Sequence, residues 1–225
     1  MRGKLIALEA GDGSGKGTQA EKLYKRLAAE GYHVRKVEFP NYGSASSALV
    51  KMYLNGEFGS EPGDVNPYVA STFYTVDRYA SYKKEWKEFY ENGGIIVADR
   101  YTTANMVHQA AKITGDMERE NYINWLLDFE FNLFQLPAPD CVIFLDMPPE
   151  HSRKLIDGRV NKSGEDKKDI HERDYGFIVK SYRNAREIAD RHKWRRIDCV
   201  AGGRLKNIGE IHEEIYQVVR DIVSD

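Results

Sequence analysis

Four apolar residues, Leu5-Ile6-Ala7-Leu8, lead straight into Glu9-Ala10-Gly11-Asp12-Gly13-Ser14-Gly15-Lys16-Gly17-Thr18. No other feature restricts the possible folds as much as this junction. A short apolar run with no polar alternation reads as a strand covered on both faces, the habit of a parallel sheet. Alternate glycines let the backbone turn with its amides facing inward. Ala20, Leu23, Leu27 and Ala28 then recur at helical spacing, so the loop opens a helix. A helix N-terminus carries unpaired N–H groups and partial positive charge, and Lys16 adds a full one. Gly11, Asp12, Gly13, Ser14, Gly15, Lys16, Gly17 and Thr18 are therefore expected to cradle a nucleotide phosphate.

The usual phosphate-loop pattern, G-x-x-x-x-G-K-[ST], is missed at both ends. Ala10 stands at its first glycine, and Gly17 stands where a hydroxyl would ligate Mg²⁺. An ordinary glycine-rich turn is the plain alternative, but the strand–loop–helix context outweighs it. A dinucleotide fingerprint fails on spacing, since glycines at 11 and 13 would require a third where Lys16 stands.

Further apolar runs at 34–39, 95–99, 141–146 and 196–200 alternate with stretches of helical length, the last over 208–223. Five strands joined by helical crossovers predict an α/β fold, a parallel sheet with helices on both faces. Ligands then bind beyond the carboxyl ends of the strands. The chain's 225 residues suffice for one domain with a substantial core. A net charge of −2 gives no global pull towards nucleic acid or an anionic membrane. No apolar run approaches the ~20 residues of a membrane span, and no signal peptide is expected before the first strand. Cys141 and Cys199 lie in apolar runs and read as buried thiols, so the expected location is cytoplasmic. The polar stretch 158–169 (GRVNKSGEDKKD) reads either as a surface loop or as a mobile lid bringing cations over phosphates.

The run at 95–99 ends in Asp99-Arg100-Tyr101. An acid at the end of a core strand beside a phosphate loop can hold Mg²⁺ through water. A guanidinium offers a planar fork of donors matching phosphate oxygens. An Asp–Arg ion pair closing the strand end is the simpler alternative, and the loop at 10–18 tips the balance towards a functional Arg100.

Residues 9–16 resemble the E-G-x-D-G-x-G-K loop of thymidylate kinases, with Ala10 for the first glycine. Gly15-Lys16-Gly17-Thr18-Gln19 is similar to the loop of adenylate kinases, which also lack the hydroxyl. Asp99-Arg100-Tyr101 resembles the D-R-[YH] signature of thymidylate kinases, and Phe39-Pro40-Asn41-Tyr42 their F-P-x-x segment. Leu136-Pro137-Ala138-Pro139-Asp140, the following strand, and Pro148-Pro149-Glu150 keep the same family order.

The resemblance implies a P-loop NTPase fold and one nucleoside monophosphate kinase domain over 1–225, with the lid at about 158–169. It implies transfer of the γ-phosphate of ATP to dTMP, with Mg²⁺ as cofactor, held through water by Thr18 and Asp99. For dTMP it implies Asp12 at the sugar hydroxyl, Tyr42 and Arg100 at the phosphate, and Tyr74 stacked on the base. Arg78 and Asn105 would read the base edge, with His108 near the sugar where many relatives have an aromatic residue. Lys16, Arg100 and Asp99 would serve catalysis. Gly13 stands where one subtype has a catalytic arginine, so the cation is expected from the lid. Arg159 is the first candidate and Arg153 the second, with Lys162, Lys167 and Lys168 as alternatives. A homodimer is also implied, and the aromatic-rich stretch 122–134 is either interface or core. Two other functions stay open: a kinase for another deoxynucleotide or deoxynucleoside, and a non-catalytic nucleotide-binding module with Gly17 as its lesion.

Overall fold

The computed structural model describes residues 2–157 and 169–224. Five strands form a parallel sheet in the order β2-β3-β1-β4-β5: Leu5–Glu9 (β1), Val34–Glu38 (β2), Ile95–Asp99 (β3), Cys141–Asp146 (β4) and Arg195–Asp198 (β5). Side chains alternate across a strand, so the unbroken apolar runs serve two cores at once. Ile6 and Leu8 of β1 join Ile95, Val97 and Ile143 on one face. Leu5 and Ala7 join Ile96 and Ala98 on the other.

The first face is covered by Lys16–Ala29 (α1) and Ile208–Val223 (α10). They contribute Ala20, Leu23 and Leu27, and Ile211, Ile215 and Val219, both sets at helical spacing. Asn207 and Glu210 form a reciprocal capping box that starts α10. The second face is packed by aromatics from 82–90, including Trp86 and Tyr90. Between the strands lie Ala48–Leu54 (α2), Pro67–Ser81 (α3), Lys87–Glu91 (α4), Thr102–His108 (α5) and Asp116–Leu127 (α6). Pro149–Asp157 (α7), Ile170–Arg173 (α8) and Tyr175–Arg191 (α9) follow β4.

The edges depart from the sequence expectation. The last sheet strand ends at Asp198, and Val200–Ala201 (β6) instead pairs antiparallel with Arg204–Leu205 (β7). The cause is Gly202-Gly203, both at positive φ (57° and 76°), which close a tight hairpin. Stretch 122–134 is not one regular helix, because Asp128–Leu133 widens into a π-helical turn. Both cysteines are buried and unpaired, as expected. Among the described residues no helix is long and apolar enough to cross a membrane.

Candidate active site

The carboxyl ends of β1 and β3 lie side by side, Leu8 opposite Asp99, so the loop after each opens on the same crevice. In the first loop Gly13 and Gly15 take φ of 74° and 79°, which a Cβ would penalise. Gly15 caps α1, and Lys16 is its first residue. The Lys16 ammonium pairs with the Asp99 carboxylate, both nearly buried. The Ser14 hydroxyl is buried without a partner among the described residues, whereas Thr18 is exposed on the first turn of α1.

Asp99 and Arg100 are neighbours in sequence but do not pair with each other. Arg100 adopts φ of 68°, an uncommon conformation for a residue with a Cβ, and its backbone N–H donates to the Leu8 carbonyl (3.1 Å). The turn throws the guanidinium across to the first loop, where Nη2 donates to Asp12 Oδ1 at 2.5 Å. Nη1 donates to His108 Nε2 at 2.8 Å. Because a guanidinium can only donate, that ring nitrogen is the acceptor and His108 is the Nδ1–H tautomer. Beneath lies fully buried Glu9, whose Oε1 accepts from the Tyr101 amide (3.1 Å) and the Thr103 hydroxyl (2.8 Å). Its Oε2 stands 3.8 Å from Arg100 Nη1.

All seven residues expected at the acceptor meet at one cavity. Asp12, Arg100 and His108 line the end nearest the phosphate loop, and Tyr42, Tyr74, Arg78 and Asn105 the remainder. Tyr74 sits edge-on to Tyr53, with ring centroids 6.4 Å apart. Arg78, one turn further along α3, is 1% exposed and bound to Glu130. Tyr42 stands at the mouth, on a segment moored to α3: Asp77 accepts from the Asn41 amide (2.7 Å) and the Ser46 hydroxyl (2.6 Å). The Asn105 side-chain amide nitrogen is buried and has no partner among the described residues.

Further lining residues, none of them assigned a ligand contact by the sequence, include Phe39, Gln109, Asp169 and His171. His171, from α8, stacks on His108 with centroids 5.9 Å apart and rings 16° from parallel. Its Nε2 lies 2.9 Å from the Tyr53 hydroxyl. Sequence alone offers no signal for this contact, which joins positions 118 residues apart. Glu130 did leave a signal: it continues the buried stripe Tyr122, Leu126 at i+4 spacing, where a carboxylate demands a partner.

Burial by itself would raise the Asp12 carboxyl, but the Arg100 guanidinium overrides it and holds the group well below the usual carboxylate range. Burial and the neighbouring Arg100 push His108 well below an ordinary imidazole, and burial brings His171 down to about 4, so both rings are neutral at pH 7. Asp169 is pushed up to about 7 by burial and by the charge of Asp12.

Lys112 props this wall from behind, donating to the Tyr53 hydroxyl at 2.8 Å and the Val65 carbonyl at 3.1 Å. Burial brings its ammonium down to about 7 from an ordinary 10.5. Between those values the unfolded chain binds more protons than the folded one, so this group makes stability rise with pH from about 7 towards 10. Denaturant unfolding at pH 7 and pH 9 should show the wild type gaining on Lys112→Met by on the order of 1 kcal/mol per pH unit.

One expected contributor stands apart from the cavity. Arg153 is exposed on α7, its guanidinium 4.9 Å from the centre of the Tyr175 ring. Arg159, Lys162, Lys167 and Lys168 lie outside the described residues, as does the expected lid at about 158–169 apart from its last residue, Asp169.

A phosphate loop and a cavity joined by the Asp12–Arg100 pair suit transfer between two phosphates, and relatives of known class agree. The family profile described as "Thymidylate kinase" matches residues 8–215. A thymidylate kinase of Mycobacterium tuberculosis is 30% identical over 171 residues, covering 76% of this chain and 78% of the relative. A probable thymidylate kinase of Methanosarcina barkeri is 31% identical over 168 residues, 75% of each chain. One from Caldicellulosiruptor saccharolyticus is 26% identical over 225 residues, covering 100% of this chain and 98% of the relative. A solved thymidylate kinase structure from Candida albicans superposes with a TM-score of 0.70 at 24% identity, covering 98% of this chain and 92% of that one, which supports the fold. The chain belongs to the thymidylate kinase family and is an ATP-dependent nucleoside monophosphate kinase.

Proposed function

We propose that residues 1–225 act as one kinase domain that moves the γ-phosphoryl group of ATP to dTMP, giving dTDP and ADP. The observation that carries this reading is the Arg100 guanidinium, held by Asp12 of the phosphate loop at one end of the acceptor cavity. Both reacting phosphates are anionic, and transfer asks the protein for alignment and neutralising charge. Lys16 meets the donor phosphates, with the loop amides around it. Arg100 meets the acceptor phosphate, whose oxygens offer the fork what the Asp12 carboxylate offers it in the free protein. Tyr74 lies along the base, Arg78 and Asn105 address its edge, and Tyr42 and His108 flank the phosphate and sugar. Arg159 is assigned the cation that meets the transferring group, with Arg153 second.

Asp99 and Thr18 offer one carboxylate and one hydroxyl at the loop, hard oxygen donors suited to a Mg²⁺ that keeps most of its waters. When bound, the ion would neutralise charge between donor phosphates. Gly17 fits this arrangement, since a Cβ there would stand 2.9 Å from Asp99 Oδ2. Gly17→Ser would supply the usual hydroxyl while forcing Asp99 away from Lys16. Turnover with ATP should accordingly fall, by about 10-fold, and not rise.

Val69 and Val76, seven residues apart on α3, and Met117 and Leu133, near the two ends of the stretch 116–133, are exposed apolar side chains that a second copy of the chain would cover, so a homodimer is the proposed assembly. The unpaired thiols of Cys141 and Cys199 support a cytoplasmic location. Measuring ADP release from ATP–Mg²⁺ across nucleoside monophosphates and nucleosides tests the activity. dTMP should be the preferred acceptor. A better rate with another acceptor would move the substrate assignment, and nucleotide binding without any turnover would overturn the reading.

A further inference from the structure

Glu130 is completely buried and lies outside every motif of the sequence. Its Oε2 accepts from Arg78 Nε at 2.8 Å and from the Thr102 hydroxyl at 2.6 Å. Its Oε1 accepts from Arg78 Nη2, and lies 2.9 Å from the Thr75 hydroxyl, whose single proton is shared with the Ser71 carbonyl. Thr75 and Arg78 belong to α3, Thr102 opens α5, and Glu130 stands in the π-helical turn after α6. Two walls of the acceptor cavity, α3 and α5, thus converge on one carboxylate behind them.

This clamp decides what Arg78 can show a ligand. A guanidinium has five N–H groups. Nε–H and one hydrogen of Nη2 are committed to Glu130. The remaining hydrogens, on Nη1 and on Nη2, are all donors, and among the described residues Nη1 has no hydrogen-bond partner. A base edge facing them is accepted through a carbonyl oxygen and rejected through an amino group, because two donors leave both unpaired. The bidentate geometry also removes the rotamer freedom of a long side chain before the base arrives. Burial works against the Arg78 charge, and Glu130 more than offsets it. The buried acid next to it in sequence, Asp77, is engaged by the Asn41 amide and the Ser46 hydroxyl.

We propose that Glu130 is a positioning residue, which fixes the base-reading face of Arg78 and so favours a keto pyrimidine over an amino pyrimidine in the acceptor. This rests on the reading of Arg78 as a base contact given above.

Steady-state kinetics with dTMP and dCMP as acceptors test it, in Glu130→Gln, Arg78→Met and the double variant. Glu130→Gln should raise the dTMP KM about 10-fold, leave the ATP KM unchanged, and narrow the preference for dTMP over dCMP. Added to Arg78→Met, it should raise the dTMP KM no further, since it acts through that side chain. Glu130→Asp keeps the charge one methylene short; it should give an intermediate KM, and it serves as the test if the glutamine variant does not fold. A lowered melting temperature with unchanged dTMP KM and unchanged preference in the Glu130 variants, beside a raised KM in Arg78→Met, would overturn the proposal alone. An unchanged dTMP KM in Arg78→Met would overturn the base-reading assignment and the proposal with it.

Discussion

Lys16→Ala should lower kcat by roughly 10³-fold, the largest loss expected from any single change in this chain. Lys16 is the first residue of α1, where the backbone amides already favour anions, and its ammonium is the full charge added to that partial one. The substitution also strips Asp99 of its partner. That carboxylate is 8% exposed, so part of the damage would be a loss of stability from an uncompensated charge. The two effects separate in the double variant Lys16→Ala/Asp99→Asn, which should recover much of the melting temperature and none of the turnover. Recovery of turnover in the double variant would mean that Lys16 serves mainly to hold Asp99.

Arg100→Lys, which preserves charge, should still lower kcat/KM for dTMP by about 10²- to 10³-fold. Arg100 uses its two terminal nitrogens in different directions, 2.5 Å from Asp12 and 2.8 Å from His108. A lysine is a single point of charge on a flexible stem and cannot span both. Its backbone would retain the positive φ of 68°, a cost of about 1 kcal/mol or more, without the fork that the conformation serves to aim. The ATP KM should stay close to that of the wild type, since the proposed function gives the donor phosphates to Lys16 and the loop amides. Parallel titration of both substrates checks this, and an equal rise in both KM values would argue for a collapsed site in place of a lost phosphate contact.

Much of the fold could be read directly. The apolar runs of β1, β3 and β4 are continuous because both faces are covered, and five strands, helices on both faces and a loop–helix junction follow from that pattern. The reading failed at edges, where local chemistry decides in small steps. Cys199 is buried, yet the glycine pair at 202–203 takes the chain out of the sheet after Asp198 and into a hairpin. The π-helical turn at 128–133 likewise lies inside a stretch whose composition suits an ordinary helix.

The phosphate loop and the strand ends carry their chemistry in short spacings, and the sequence by itself determined them: Gly13, Gly15 and Lys16 act over a few residues, where backbone conformation is local. Who faces whom was decided only by the tertiary structure. Asp99 and Arg100 are adjacent, yet one turns to Lys16 and the other to Asp12, 88 residues away. Arg78 meets Glu130 across 52 residues, and His171 meets Tyr53 across 118. These pairs depend on strand order and on helices docked over the sheet. Periodicity sets which face of an element is buried, but the partner that balances a buried charge is chosen by packing.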